Sequence, residues 1–185
     1  FYYQMGRTAA DVPISAWMAA LHANIHATEG LSFQLGSDYL SGDDRGSADF
    51  EAFNPLYGTH HKFYGAMDYF YASPFANHLN PGLWDNYAGL NVAGTPSLNL
   101  GAPGHYFSTT SDLQSATGQL SKGLGTEVDL QLSWNLMKDV NLMAGYSFML
   151  GTATMDHVKG GDHTRWQDWA WLSVNIRTRG FQAMW

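Results

Sequence analysis

The sequence predicts an all-β protein, an antiparallel transmembrane β-barrel with about eight strands in this chain. Three observations predict it: side chains alternate between apolar and polar over long stretches, the resulting strands are long, and tight connections alternate with long ones. Charged residues make up 14% of the chain and aromatic residues 15%, whereas roughly a quarter of a typical soluble domain is charged. This composition favours a chain whose apolar and polar surfaces alternate residue by residue.

The alternation is most regular in Leu124–Leu136. Its even positions are apolar apart from Thr126, and its odd positions are Gly, carboxylate or amide side chains and Ser. Side chains of a strand point alternately to its two faces, so this period of two predicts a strand with one apolar face. The same pattern returns in 140–152 after the short link Met-Lys-Asp, and two such strands joined by a tight link predict a hairpin.

Applied along the whole chain, this reasoning predicts eight strands, near 1–7, 14–27, 31–41, 84–93, 97–107, 124–136, 139–152 and 166–178. Most of them are about 10–13 residues long, against a usual length of about 5–6. At ~3.3 Å per residue and a tilt of ~45°, such strands span the ~25 Å apolar band of an outer-membrane barrel. Their polar face is rich in Gly, Ser, Asn and Gln and poor in Lys, which is typical of an enclosed lumen.

The connections give the third argument. Tight links at 27–30, 94–97 and 137–140 alternate with long ones at 42–83, 108–123 and 153–165. Outer-membrane barrels have short periplasmic turns and long outer loops, so the pattern predicts this arrangement with both termini on the periplasmic side. Aromatic residues near the strand ends are expected to form the girdle that such barrels carry: Trp17, Tyr39, Trp84, Trp134 and Trp166.

The 42–83 stretch differs from the strands because it is aromatic, contains several Pro residues and shows no regular alternation. We interpret it as one structured outer loop that folds inward or contains a short helix. The alternative is that Phe63–Tyr71 forms an additional strand.

This loop also carries a resemblance. The segment Phe53–Tyr71 is similar to that of the alginate-export-like outer-membrane barrels found in Bacteroidota-type bacteria, and Asp38–Asp44, Leu124–Leu150 and Trp169–Ile176 match the same pattern in order. The resemblance implies a porin-type barrel for polysaccharide or small-solute passage, located in the bacterial outer membrane and without a cofactor. Members of that family are longer, so residues 1–185 resemble either one complete barrel domain or the C-terminal half of one. Eight strands closed alone leave an interior filled by side chains, whereas 16–18 leave an aqueous channel.

The expected function is therefore a porin-like channel for passive or weakly selective passage of small solutes or saccharides. One alternative is a non-conducting barrel that serves as a structural or accessory subunit of an outer-membrane transport assembly, and another is a soluble lipocalin-like binder. The expected partners are membrane lipid, lipopolysaccharide and such a transport complex. A net charge of −7 argues against a nucleic-acid surface.

The lumen-lining or solute-contacting candidates are Asp38, Glu127, Asp129, Gln131, Asn141, Asn175 and Arg177. In the outer loop the candidates are His60, His61 and Lys62, which either contact solute or form hydrogen bonds within the loop. Because Asp85 adds a further carboxylate, the inferred lumen is acidic and favours a neutral sugar or a cationic solute over a polyanion. The structural alternative is that Glu127, Asp129 and Arg177 form an ion-pair network that braces the barrel.

No metal site, cofactor or enzymatic activity is expected. His22 and His26 share one face of a strand but lie ~13 Å apart, too far to bind one ion. The acidic residues Asp43, Asp44, Asp49 and Glu51 match no cation-binding loop, so a solvated loop is favoured. Ser108, His105 and Asp112 are close in sequence but lack a surrounding nucleophile motif.

Overall fold

A computed structural model describes residues 1–44, 46–56, 58–71, 75–116 and 118–177 of the chain. Eight strands form one antiparallel sheet: β1 (Tyr2–Arg7), β2 (Pro13–Thr28), β3 (Leu31–Leu40), β4 (Leu83–Thr95), β5 (Leu98–Ser108), β8 (Gly123–Met137), β9 (Val140–Gly151) and β10 (Gln167–Ile176). The remaining two strands, β6 (Gln114–Ser115) and β7 (Gly118–Gln119), form a separate small hairpin.

The large sheet is a meander in which each strand pairs with the next in the order β1-β2-β3-β4-β5-β8-β9-β10. All eight predicted strands are therefore confirmed. Thr178, the last residue of the predicted final strand, lies outside the described residues. Within the described part of the chain, no pairing joins β1 to β10.

The register divides the sheet into two faces, because residues directly opposite each other on paired strands share a face. On one face, Ile25, Phe33 and Leu90 lie side by side across β2, β3 and β4, and Trp134, Leu142 and Val174 do so across β8, β9 and β10. We call it the apolar face, and its exposed members include Leu21, Ile25, Phe33, Leu35, Leu90, Leu100, Leu130, Leu150, Leu172 and Val174.

The opposite side, which we call the polar face, carries small and polar side chains. Asn91, Gly101, Gln131 and Gly145 form one row across it. Leu172 on the apolar face is 70% exposed, whereas Glu127 and Asp129 on the polar face are 0% and 2% exposed. The predicted assignment of side chains to two faces by their period of two is thus confirmed.

The connection between β3 and β4 explains this difference in exposure, because it folds over one end of the polar face. Phe63–Tyr71 contains turns and bends but no strand, so the alternative of an additional strand is wrong. The expected short helix is present as a single 3-10 turn at Ala76–His78. The hydrophobic core lies between this connection and the sheet, and it includes Tyr64, Phe70, Phe107, Leu124 and Met149.

A short helix, α1 (Ala153–Lys159), lies in the connection between β9 and β10 and was not predicted. Its N-cap is Thr152, whose hydroxyl accepts a hydrogen bond from the Met155 N–H at 3.3 Å. This cap satisfies one of the free amides of the first turn. Met155 and Val158 join the core, so α1 closes the core at the end of the sheet where the long connections lie, which we call the loop end.

Candidate functional site

Residues 58–71, which we call the covering segment, lie across the polar face from β10 to β5. The His61 ring stacks on Trp169 with ring centroids 4.4 Å apart. The Tyr69 hydroxyl donates to Gln167 Oε1 at 2.7 Å. Phe70 packs on Phe107 of β5, with centroids 4.5 Å apart. The segment is therefore attached to the sheet on both sides, at β10 and at β5.

Two carboxylates of β8 hold the middle of the covering segment. The Ala66 N–H donates to Asp129 Oδ2 at 3.3 Å, and the Met67 N–H donates to Glu127 Oε1 at 2.8 Å. These bonds satisfy two backbone donors that would be costly to leave unpaired. Gly65 precedes them with a positive φ of 85°, and a Cβ there would lie 2.5 Å from Glu127 Oε2. The close approach of this backbone to Glu127 therefore requires glycine.

A cavity of about 400 Å³, which we call the acidic recess, lies between the covering segment and the polar face. Two of its carboxylates are paired with histidine: the His22 ring lies 2.6 Å from Asp38 Oδ1, and His105 Nδ1 lies 3.0 Å from both oxygens of Asp85. His105 Nε2 faces a third carboxylate, Asp129, at 3.9 Å. The recess is thus lined by alternating imidazole and carboxyl groups.

No Lys or Arg among the described residues forms an ion pair with Asp38, Asp85, Glu127 or Asp129, the four carboxylates of this region. Among the described residues, the basic side chains that contact Asp38, Asp85 and Asp129 are histidines, and none contacts Glu127. Burial raises the pKa of the Tyr64 phenol, and the nearby Asp38 and Asp85 raise it further. A phenol that is harder to ionise is the expected response to a buried, negatively charged surrounding.

Aromatic rings form a row beside these carboxylates on the polar face. The Tyr87 ring lies 5.7 Å from His22 and 5.1 Å from His105, centroid to centroid. His105 in turn stacks on Phe107 at 5.5 Å. The recess thus offers ring faces as well as carboxylate oxygens to a bound molecule.

The structure brings some of the predicted site residues together and separates others. The recess is lined by Asp38, Asp129, Gln131, His61 and Lys62, and Glu127 lies beside it under the covering segment. His60 lies near Asp68, with His60 Nδ1 3.9 Å from Asp68 Oδ2. His61 forms a hydrogen bond within the loop, because its backbone N–H donates to Asp68 Oδ1 at 2.7 Å.

Three of the predicted residues lie far from the recess, at the opposite end of the sheet, where the tight connections are and which we call the turn end. There Asn141 donates to Ser133 and Asn135, and Asn175 donates to Ser173. The backbone N–H of Arg177 donates to the Asp139 carbonyl.

The predicted ion-pair network of Glu127, Asp129 and Arg177 is therefore wrong. Glu127 lies level with Gln167 through Met149, and Arg177 is ten residues further along the chain from Gln167. At ~3.3 Å per residue this separation is roughly 33 Å. Sharing a face of the sheet does not bring residues at opposite ends of their strands together.

Sequence reasoning missed Tyr87 and Tyr64 as recess residues. Tyr87 could have been found, because it follows Asp85 by two positions and therefore shares its face. Tyr64 gave no such signal, since it lies in a turn with a positive φ of 60°.

Other candidate centres do not assemble at this site. His105 contacts Asp85, whereas Asp112 forms an ion pair with Lys122 at 2.9 Å, so Ser108, His105 and Asp112 do not make a catalytic triad. Among the described residues, carboxylate and imidazole atoms converge in two groups elsewhere, Asp43–Asp44–Glu51 and Asp156–Asp162–His163. The described residues also include no helix long and apolar enough to cross a membrane, a finding that concerns helices alone.

Comparison with protein-family models, with curated proteins and with solved structures gives no match for this chain.

Proposed function

We propose that this chain belongs to an outer-membrane β-barrel of the alginate-export-like type, which acts as a porin-like channel for passive or weakly selective passage of small solutes or saccharides. The observation that carries this proposal is the apolar face. It extends over the long strands of one sheet with its Leu, Ile, Val and Phe side chains exposed, Leu21 by 78% and Leu130 by 46%. Soluble monomers rarely expose a continuous apolar patch of more than a few hundred Å².

Strand length supports a membrane environment for this face. β2 has 16 residues, β4 has 13 and β8 has 15. A tilted strand of ~9–11 residues is enough to cross the hydrocarbon core of a bilayer. These strands are therefore long enough to cross that core.

Aromatic side chains at the loop end support the same placement. Trp17 stacks on Tyr39 with centroids 5.0 Å apart, and Tyr39 contacts Trp84 at 6.0 Å. On the last two strands of the sheet, Phe148 stacks on Trp166 at 5.2 Å. Outer-membrane barrels carry girdles of aromatic residues at their two interfaces with water, and this row suits the outer one.

Cavities along the polar face support passage of solute. A second cavity of about 400 Å³ lies toward the turn end, and it shares Asn91, Gly101 and Gln131 with the acidic recess. The two cavities adjoin each other along the polar face, between the covering segment and the tight turns. In a closed barrel they would form part of the lumen.

The proposal is tested by adding the purified native polypeptide to a planar lipid bilayer. We expect discrete, voltage-driven conductance steps that scale with salt concentration, and none from the same preparation after heat denaturation. A bilayer that stays sealed despite verified insertion of folded protein would contradict the channel.

A second candidate, a non-conducting barrel that serves as a structural or accessory subunit, is favoured by one observation. The covering segment occupies part of the polar face and would narrow or fill a lumen. This candidate predicts copurification with a transport protein at fixed stoichiometry from native outer membranes. Isolation of the protein without such a partner, in conducting form, would exclude it.

A further inference from the structure

We propose that the acidic recess binds a small organic cation, a compound that bears an ammonium or guanidinium group. The inference deepens the proposed function by naming the class of solute, and it rests on that function for the route by which the solute reaches the recess.

Charge is the first argument. Asp38, Asp85 and Asp129 line the recess and are 6%, 1% and 2% exposed, and Glu127 adjoins them with no exposed surface. Among the described residues, the lysine side chain that lines this cavity is that of Lys62. It is exposed, and its Nζ lies 5.3 Å from the centroid of the Phe63 ring. Buried carboxylates are costly unless a partner compensates their charge. A cationic guest would supply that compensation.

Unpartnered oxygens are the second, independent argument. Asp129 Oδ1 and Glu127 Oε2 are buried and have no hydrogen-bond partner among the described residues. Most buried polar atoms in proteins do have one, so each exception calls for an explanation. The two carboxyl groups lie within hydrogen-bond reach of each other, so they either share one proton or carry two adjacent negative charges. Asp129 also lines the recess, and a cation bound there would stabilise the doubly ionised state.

Size and shape decide the kind of cation. A cavity of about 400 Å³ falls within the range of small-molecule sites, roughly 300–1,000 Å³. Ligand atoms that converge closely enough to hold a metal ion occur among the described residues in two groups, neither of which includes a recess residue. The recess carboxylates are spread out and separated by the rings of His22, Tyr87 and His105. Spread carboxylates beside ring faces suit an extended organic cation, which gains cation–π as well as ionic contacts.

The experiment measures binding to the native polypeptide in detergent micelles by isothermal titration calorimetry. The probes are cadaverine as a cation, glucose as a neutral solute and glucuronate as an anion. We expect cadaverine to bind at least ten-fold more tightly than glucose, and glucuronate to show no binding.

Three variants locate the site. Asp129→Asn and Asp38→Asn each remove one recess carboxylate, and each should weaken cadaverine binding at least ten-fold. The matched control is Asp168→Asn, which removes an exposed carboxylate of the same sheet that accepts a hydrogen bond from Tyr146, and binding should stay unchanged. Circular dichroism checks that each variant folds. If Asp129→Asn does not fold, cadaverine binding to Asp38→Asn tests the site instead.

Failure of this inference and failure of the proposed channel give different results. Conductance without a preference for cadaverine, or cadaverine binding that the recess variants leave unchanged, would overturn the cation site and leave the channel standing. Cadaverine binding lost in Asp38→Asn, together with a sealed bilayer, would support the site and contradict the channel.

Discussion

Gly65 is the residue at which the covering segment comes closest to the sheet. Its φ of +85° strains any other residue, and its Cβ position is taken by the Glu127 carboxylate. Gly65→Ala should therefore lower the free energy of unfolding by more than the strain alone, which is about 1–3 kcal/mol. The measurement is urea unfolding in micelles, followed by Trp fluorescence.

Gly161→Ala is the matched control for this variant. Gly161 also has a positive φ, of 101°, but a Cβ there would have no atom within 4 Å. It reports backbone strain without a clash. If the two variants lose the same stability, Gly65 does not contact Glu127 as described.

Lys159 makes stability depend on pH. Its ammonium lies 4.5 Å from the Phe75 ring centroid, and burial lowers its pKa to about 8. The unfolded chain, with a normal pKa, then binds the proton more tightly than the folded one, so stability should rise as the pH increases from about 8 toward 10.5. Between pH 7 and 10, we expect the free energy of unfolding of the wild type to rise by up to about 1 kcal/mol relative to that of Lys159→Met. The rise is kept this small because solvent screens the partly exposed ammonium group. A difference that stays constant or shrinks across this range would contradict the description of Lys159.

At the scale of elements, β10 separates the two faces most clearly. Leu172 is 70% exposed on the apolar face, and its neighbour Ser173 points to the polar face. An Arg on the lipid face of a barrel costs about 2–4 kcal/mol near the bilayer midplane. Leu172→Arg should lower the free energy of unfolding in lipid vesicles by about this amount, and Ser173→Arg should lower it clearly less. Equal losses would argue against a lipid-facing Leu172.

Helix α1 depends on its cap. Besides accepting from Met155, the Thr152 hydroxyl donates to the Gly123 carbonyl at 2.7 Å and so ties the helix to β8. Thr152→Ala should cost about 0.5–2 kcal/mol in thermal or urea unfolding, the usual range for loss of an N-cap. Thr152→Ser keeps the hydroxyl and should recover most of the loss. Failure of Ser to do better than Ala would show that the hydroxyl is not the cause.

The strands could be predicted and the connections could not, for a physical reason. The two faces of a strand such as β8 appear in the sequence as alternating apolar and polar residues, so Glu127 and Leu130 could be assigned to opposite faces in advance. The covering segment is instead held by single contacts between distant residues, such as the Met67 amide and the Glu127 carboxylate. Helix α1 is too short, at seven residues, for a helical period to stand out. The recess was therefore predictable in its carboxylates but not in Tyr64, which the covering segment supplies.

For the whole molecule, the sheet combines an open apolar side with a polar side that is partly covered. On the polar side, buried carboxylates lie under the covering segment, and a cavity lies toward the turn end. A net charge of −7 fits an interior that favours cations over anions. Both the channel and the cation site thus depend on the same division of the sheet into two environments.

The most direct test of that division is a spin-label scan along β10, in which Cys is introduced one residue at a time from Trp169 to Asn175. The chain contains no cysteine, so each label reports a single site. In lipid vesicles, we expect labels at Leu172 and Val174 to collide mainly with oxygen, which concentrates in the bilayer. Labels at Trp171 and Ser173 should be shielded from lipid. Labels at Leu172 and Val174 that collide mainly with a water-soluble nickel complex would contradict the account.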